Sequence, residues 1–270
     1  MVYTIGVVGF GTLGKQITEL FIKKKFKLVI ITRNPQKVNN FLNRLTRKPK
    51  DKIKVSTYFR ELHSCDIIIE CVEERLKTKQ RIFKKIEKNI RKQAIICSNT
   101  SSFSIEKIAK FCKNKGNIAG LHFSNPATKM SFIEIAYIKN TSKGTLKKLI
   151  FLSKKIDKQP IIVKDSPGFI FNKIMFAMLN QAAKVYERKL AKREEIDVVM
   201  MRGANHPAGP LRIIDYVGVD VTLNILQNLY KGLHDPVYRP AKILSEMKKA
   251  GKLGKKTGEG FYKYTDGGII

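Results

Sequence analysis

IGVVGFGTLGKQI, residues 5–17, is an apolar run that ends in glycines at 9, 11 and 14 and passes into a helix-like pattern. In a strand–GxGxxG–helix context each glycine has its own task. Gly9 permits a tight turn, Gly11 lets the backbone approach a pyrophosphate, and Gly14 lets the helix pack on the strand. The helix N-terminus adds unpaired N–H groups and partial positive charge, which suit phosphate. The stretch reads as a dinucleotide loop; the plainer alternative is a strand-to-helix turn without a ligand.

The end of the second strand tells which nucleotide. NAD sites place Asp or Glu there, about 20 residues after the loop, to bond the ribose hydroxyls. In this chain "KLVIIT" (27–32) ends in Thr32, with Arg33 after it. No carboxylate stands there to repel a 2′-phosphate. A guanidinium could clamp one, and the threonine could donate a hydrogen bond. NADP(H) is therefore favoured, with Lys37 as a further basic residue near enough to share the role. NAD(H) is the alternative, with Arg33 merely solvated.

Outward from the loop, strand and helix patterns alternate. Residues 3–9, 27–32, 55–58, 65–72, 94–99, 117–123, 130–137 and 159–164 read as strands. Residues 12–24, 76–90 and 143–155 read as helices, and "NP" at 34–35 starts a turn that leads into a basic amphipathic helix through about Arg47. This order predicts an α/β domain with a mostly parallel sheet over 1–165. From Ser166, "SPGFIFNKIMFAMLNQAAKVYER" reads as one long helix opened by Ser-Pro. The remainder is helical in pattern, broken by turns at 203–210 and 235–240, so 166–270 is expected to be a smaller, all-α domain.

The 270 residues carry 53 Lys+Arg against 22 Asp+Glu, a net charge of +31. Such a field attracts polyanions, either nucleic acid or phosphate-rich ligands. The basic residues are scattered along the chain, without a tail or a basic-aromatic motif. Codon bias toward Lys, Asn and Ile is the blander source, and a nucleic-acid partner is not expected. No apolar stretch is long enough for a membrane span. The first strand starts almost at Met1, so a cytoplasmic chain without a leader is expected. Cys65, Cys71, Cys97 and Cys112 form no metal-binding spacing and read as reduced core residues.

Several segments then fall in a recognisable order: "VVGFGTLG", "DIIIECVEERLKTKQRIF", "SNTSSFSI", "AGLHFSNP", "FIEIA", "DSPGFIFNKI", "GANHPAGPLRIIDYVGVD" and "GKKTGEGFYKY". Over essentially its whole length the chain resembles the L-3-hydroxyacyl-CoA dehydrogenases, and among them the bacterial 3-hydroxybutyryl-CoA dehydrogenases. The resemblance implies a Rossmann-like domain followed by a small helical domain that forms a homodimer. It implies an acyl-CoA substrate, His122 as catalytic base, Glu134 as its carboxylate partner, and Ser101 and Asn172 as substrate-binding residues. It assigns cofactor contacts to Glu74, Lys79 and Asn99.

Those residue types suit the chemistry. Oxidising a secondary alcohol needs a base for its proton while hydride leaves, and histidine titrates near neutral pH. A carboxylate on the far imidazole nitrogen fixes the tautomer and stabilises the imidazolium. The expected reaction interconverts a (3S)-3-hydroxyacyl-CoA, short-chain, with its 3-oxoacyl-CoA. Departures flank the site: Ser124 stands where an apolar or aromatic residue is usual, and "ATK" and Ser131 come after it, which bears on acyl-chain preference. His206 reads as structural. Two other readings stay open: a dehydrogenase of a free hydroxy acid on the same fold, or a non-catalytic dinucleotide- or nucleic-acid-binding protein.

Overall fold

The computed structural model describes residues 3–45, 52–265 and 268–269. The chain divides into two compact units, Met1–Phe169 and Ile170–Ile270.

The first unit is built on eight strands: Thr4–Val8 (β1), Lys27–Ile31 (β2), Ile53–Ser56 (β3), Ile67–Glu70 (β4), Ile95–Ser98 (β5), Ile118–His122 (β6), Phe132–Tyr137 (β7) and Gln159–Lys164 (β8). They form one sheet in the order β3-β2-β1-β4-β5-β6-β7-β8. Every neighbouring pair is parallel except β6 and β7, which are antiparallel. Alternate residues feed separate cores: Ile5, Val7, Ile67, Ile69, Ile95 and Cys97 enter one cluster, Val8, Ile68 and Ile96 another. A sheet apolar on both faces must be covered on both, which is why its strands read as unbroken apolar runs. The helices Thr12–Lys23 (α1), Pro35–Asn43 (α2), Leu76–Glu87 (α3), Ile105–Ile108 (α4) and Lys143–Lys155 (α5) belong to this unit. The strand order steps outward in both directions from β1 and β4. Ligands of open α/β sheets bind beyond the strand ends at such a point.

The second unit is helical: Phe171–Glu187 (α6), Arg193–Gly203 (α7), Pro210–Val217 (α8), Val219–Leu233 (α9) and Lys242–Lys249 (α10). Their apolar faces share one core that includes Leu179, Leu211, Leu226 and Leu244. Two buried aspartates pin it. Asp197 accepts the N–H groups of Leu211 and Arg212 at the start of α8. Asp215 accepts those of Phe261 and Tyr262, and burial pushes its carboxyl up.

Some boundaries differ from the sequence reading. The helix expected from Ser166 begins at Phe171, because Gly168 and Phe169 are both left-handed (φ +79° and +47°) and close a turn first. The third strand runs Ile53–Ser56 rather than 55–58; its pairing with β2 ends at Ser56, and Tyr58 is exposed. The second helix ends at Asn43, with Arg44 as its C-cap, and Arg47 lies outside the described residues. The short helix α4 is an addition to the elements expected from sequence.

All four cysteines are free thiols. Burial pushes the Cys65 and Cys112 thiols up to about 12, so they are poor nucleophiles and behave as core residues.

Candidate active site

Each glycine of the loop meets a distinct steric demand. Gly9 adopts φ +102°, and a Cβ there would lie 2.7 Å from the Cys71 carbonyl oxygen. A Cβ at Gly14 would lie 2.2 Å from the Gly9 oxygen, so only glycine lets α1 sit this close to the loop. At Gly11 an added Cβ meets nothing within 4 Å. Gly11 is the N-cap of α1, with no side-chain cap and no acidic residue in the first turn. The first N–H groups of α1 thus lack a side-chain acceptor at their cap. A closed turn, a close helix and open space at the middle glycine fit a pyrophosphate.

At the end of β2, Thr32 donates its N–H to Ser56 O (3.1 Å), and its hydroxyl accepts from Asn34 N (3.2 Å). Arg33 is exposed.

Beyond the end of β4 lies a charge cluster that the sequence only half reveals. Lys79 is 1% exposed and donates to both oxygens of Glu70 (2.9 and 3.2 Å). Glu70, which in the sequence reads only as part of a strand, is fully buried and accepts from Ser98 Oγ (2.7 Å) and Val72 N (2.7 Å). Lys79 also pairs with Glu74 at 3.2 Å. Glu74 Oε1 gathers donors from the loop after β5: Thr100 Oγ1 (2.6 Å), Ser101 N (3.1 Å), Ser102 N (3.0 Å) and Ser102 Oγ (2.9 Å). Burial pushes the Glu74 carboxyl up, but the ammonium and the hydroxyls outweigh it and hold it below the ordinary value. Burial likewise opposes the charge on Lys79, and the two carboxylates restore it. The cluster ties α3 to the ends of β4 and β5, and so holds the segment that carries Ser101.

His122 and Glu134 face each other across the antiparallel pair, as register partners of β6 and β7. Nδ1 of His122 lies 2.7 Å from Oε2 of Glu134, with side chains 5% and 2% exposed. The Phe169 ring packs against the imidazole with centroids 5.6 Å apart. Asn99 accepts the N–H of Phe123 through Oδ1 (2.8 Å), joining the end of β5 to the residue after His122. Gln16, on α1, accepts from Ala127 N (2.7 Å) and donates to Asn125 Oδ1 (3.0 Å). The helix next to the glycine loop is thereby fastened to the loop next to His122. Nothing in the sequence singles out Gln16, whose partners lie more than 100 residues away. Ser124 is buried, and its hydroxyl has no hydrogen-bond partner among the described residues. Asn172 lies, buried, in the first turn of α6 in the second unit.

The arrangement can hold a dinucleotide over the loop and present a histidine whose far nitrogen is already committed. The family models agree with that chemistry. The 3-hydroxyacyl-CoA dehydrogenase NAD-binding domain matches residues 4–166, and the 3-hydroxyacyl-CoA dehydrogenase C-terminal domain matches residues 168–264. The 3-hydroxybutyryl-CoA dehydrogenase of Clostridioides difficile is 34% identical, over 96% of this chain and 99% of that one. The mitochondrial hydroxyacyl-coenzyme A dehydrogenase of Sus scrofa is 37% identical, over 90% of this chain and 75% of its own. The crystal structure of (S)-3-hydroxybutyryl-CoA dehydrogenase from Ralstonia eutropha superposes with a TM-score of 0.89 at 38% identity, covering 98% of this chain and 100% of that one. With both family models matching, and relatives this similar along most of its length, the chain belongs to the 3-hydroxyacyl-CoA dehydrogenase family.

Proposed function

We propose that the protein interconverts short-chain (3S)-3-hydroxyacyl-CoA and 3-oxoacyl-CoA, with 3-hydroxybutyryl-CoA as the model substrate and NADP(H) as the favoured cofactor. The observation that carries this reading is the buried 2.7 Å contact between His122 and Glu134. Glu134 accepts from Nδ1–H, which leaves Nε2 as the basic nitrogen. Nε2 takes the proton of the 3-hydroxyl during oxidation and returns it during reduction. The imidazolium formed is stabilised by the carboxylate, and burial of both groups strengthens that attraction. The dinucleotide, when bound, supplies or accepts the hydride. Gly9, Gly11, Gly14 and the N-terminus of α1 hold its phosphates, while Glu74 and Asn99 take the cofactor contacts that the family resemblance implies; Lys79, to which the resemblance also assigns a contact, is buried against Glu70 and Glu74 and acts by holding Glu74. Ser101 and Asn172 keep the substrate-binding roles implied by their motifs.

The absence of a carboxylate at Thr32 and Arg33 supports NADP(H). The second unit exposes Ile174, Val199 and Tyr216 (68%, 66% and 53%), apolar surface that supports a homodimer through these helices. Four free thiols suit a reducing, cytoplasmic setting.

The test is a set of steady-state assays with acetoacetyl-CoA and with free acetoacetate, each with NADH and with NADPH. Reduction of the thioester alone is expected, faster with NADPH at low cofactor. Reduction of free acetoacetate at comparable efficiency would transfer the reading to a hydroxy-acid dehydrogenase, and no turnover with any pair would end it. Sedimentation should give twice the monomer mass.

A further inference from the structure

We propose that the 2′-phosphate of the cofactor is recognised by Lys15, Lys37 and Arg44, and not by Arg33. This assignment rests on the NADP(H) reading above and names the residues that produce it.

A cavity of about 390 Å³ opens beside the glycine loop. Phe10, which stands between Gly9 and Gly11, forms part of its wall, together with Lys15, Lys37, Phe41 and Arg44. Among the described residues, neither Arg33 nor Thr32 lines it, and no carboxylate does. Sequence position therefore favours Arg33, but the fold turns other cations toward the loop.

The reason is helical geometry. Lys37, Phe41 and Arg44 are spaced i, i+4, i+7 along α2 and its C-cap, which puts them on one face. Asn34 caps the helix, its Oδ1 accepting the Lys37 N–H at 3.1 Å, and so fixes the start of that face. Lys15 approaches from α1, with Nζ 5.0 Å from the centre of the Phe41 ring. The Phe41 ring in turn packs against Phe10, with centroids 5.6 Å apart. Two helices thus deliver three cations to one cavity that borders the dinucleotide loop, and aromatic contacts hold one of them in place. A phosphate monoester carries about −1.5 to −2 charges at neutral pH. Three cations can neutralise it, whereas a ribose 2′-hydroxyl gains little from them.

The experiment is calorimetric and needs no turnover. NADP⁺ and NAD⁺ are titrated into wild type, Arg33→Ala, Lys37→Ala/Arg44→Ala and the charge-conserving Lys37→Arg/Arg44→Lys; 2′,5′-ADP and 5′-AMP serve as fragment probes. Wild type should prefer NADP⁺, and 2′,5′-ADP over 5′-AMP, by about tenfold or more. The Ala double variant should bring both ratios close to one with NAD⁺ affinity within about twofold of wild type, while Arg33→Ala and the charge-conserving variant keep most of the preference. A thermal melt of each variant checks the fold. A wild type that binds the two dinucleotides equally overturns the NADP(H) reading itself. A wild type that prefers NADP⁺, with the preference kept in the Ala double variant or lost in Arg33→Ala, overturns this assignment and leaves that reading standing.

Discussion

Gly11 and Gly14 lie three residues apart in one motif, and substitution by alanine should separate their tasks. At Gly14 the new Cβ would stand 2.2 Å from the Gly9 oxygen and 3.1 Å from its carbonyl carbon. These are backbone atoms and cannot rotate away, so α1 must shift off the loop. Overpacking of this kind costs about 1–3 kcal/mol. At about 2–4 °C per kcal/mol for a unit of this size, Gly14→Ala should lower Tm by about 2–12 °C. Gly11 is the opposite case. Its backbone, at φ −77° and ψ −165°, is open to any L residue, and the new Cβ meets nothing within 4 Å. Gly11→Ala should therefore leave Tm unchanged or raise it, since the unfolded chain loses freedom worth about 0.4–1 kcal/mol. Binding should suffer instead. A methyl group at the point of phosphate approach, displacing one charge-assisted hydrogen bond of about 1.5–3 kcal/mol, weakens the dinucleotide about tenfold to a hundredfold. Thermal melts and calorimetric titration with NADP⁺ and NAD⁺ measure both quantities. A Gly11→Ala protein that binds both dinucleotides as tightly as wild type would falsify the phosphate reading of the loop. A Gly14→Ala protein with unchanged Tm would refute the packing argument.

The same geometry sets further outcomes. His122→Gln should keep the fold and lose about 10²–10⁴-fold in turnover; near-normal turnover would reduce His122 to a core residue. Glu134→Gln replaces a charge-assisted bond by a neutral one, at about 1 kcal/mol less support for the imidazolium. Turnover should then fall by about fivefold, and unchanged turnover argues that the carboxylate is only structural. Ser124→Ala removes a buried hydroxyl that has no partner among the described residues, so Tm should hold or rise; a fall of several degrees means that the hydroxyl is bonded in solution. The Glu74 carboxyl lies below its ordinary value of 4.5, so the unfolded chain takes up that proton first. Its stabilisation is present above pH 4.5 and is lost as pH falls through the folded value. Acid melts of wild type should fall more steeply there than those of Glu74→Gln, and parallel curves would count against this.

How much can be read from the sequence depends on how local the cause is. The glycine loop and the alternating elements are legible because each rests on residues within one turn or one strand. The break at Gly168 and Phe169 is not, since Ser-Pro ahead of an apolar pattern also describes a helix start. Glu70 is hidden because a lone carboxylate inside the strand expected over 65–72 points to no partner within its own segment. Only the fold shows Lys79 and Ser98 closing over it. Gln16 is invisible for the same reason, its partners being far along the chain. Arg33 draws attention by adjacency to the strand end, whereas Lys37 and Arg44, which line the cavity, are set by the face of α2 and its C-cap.

The reversal of a single strand brings His122 and Glu134 together. In the antiparallel β6/β7 ladder His122, the last residue of β6, is opposed by Glu134, the third residue of β7. Directly opposed side chains start about 4.5–5.5 Å apart at Cβ. An imidazole and a carboxylate on such a pair meet without any loop having to place them. The register is held by apolar neighbours: Leu121 is opposed by Ile135, both fully buried. A slip of one residue would set Ile133 or Ile135 against His122 and turn the Glu134 carboxylate to the other face. That carboxylate would then be buried without its imidazole, at a cost of several kcal/mol. β8 pairs with the far side of β7, with Glu134 beside Ile161, so the glutamate is not on an edge strand open to water. The alternation that stabilises the sheet is therefore the same alternation that aligns the pair. Substitutions at Leu121 or Ile135 should disturb catalysis through register as well as through stability.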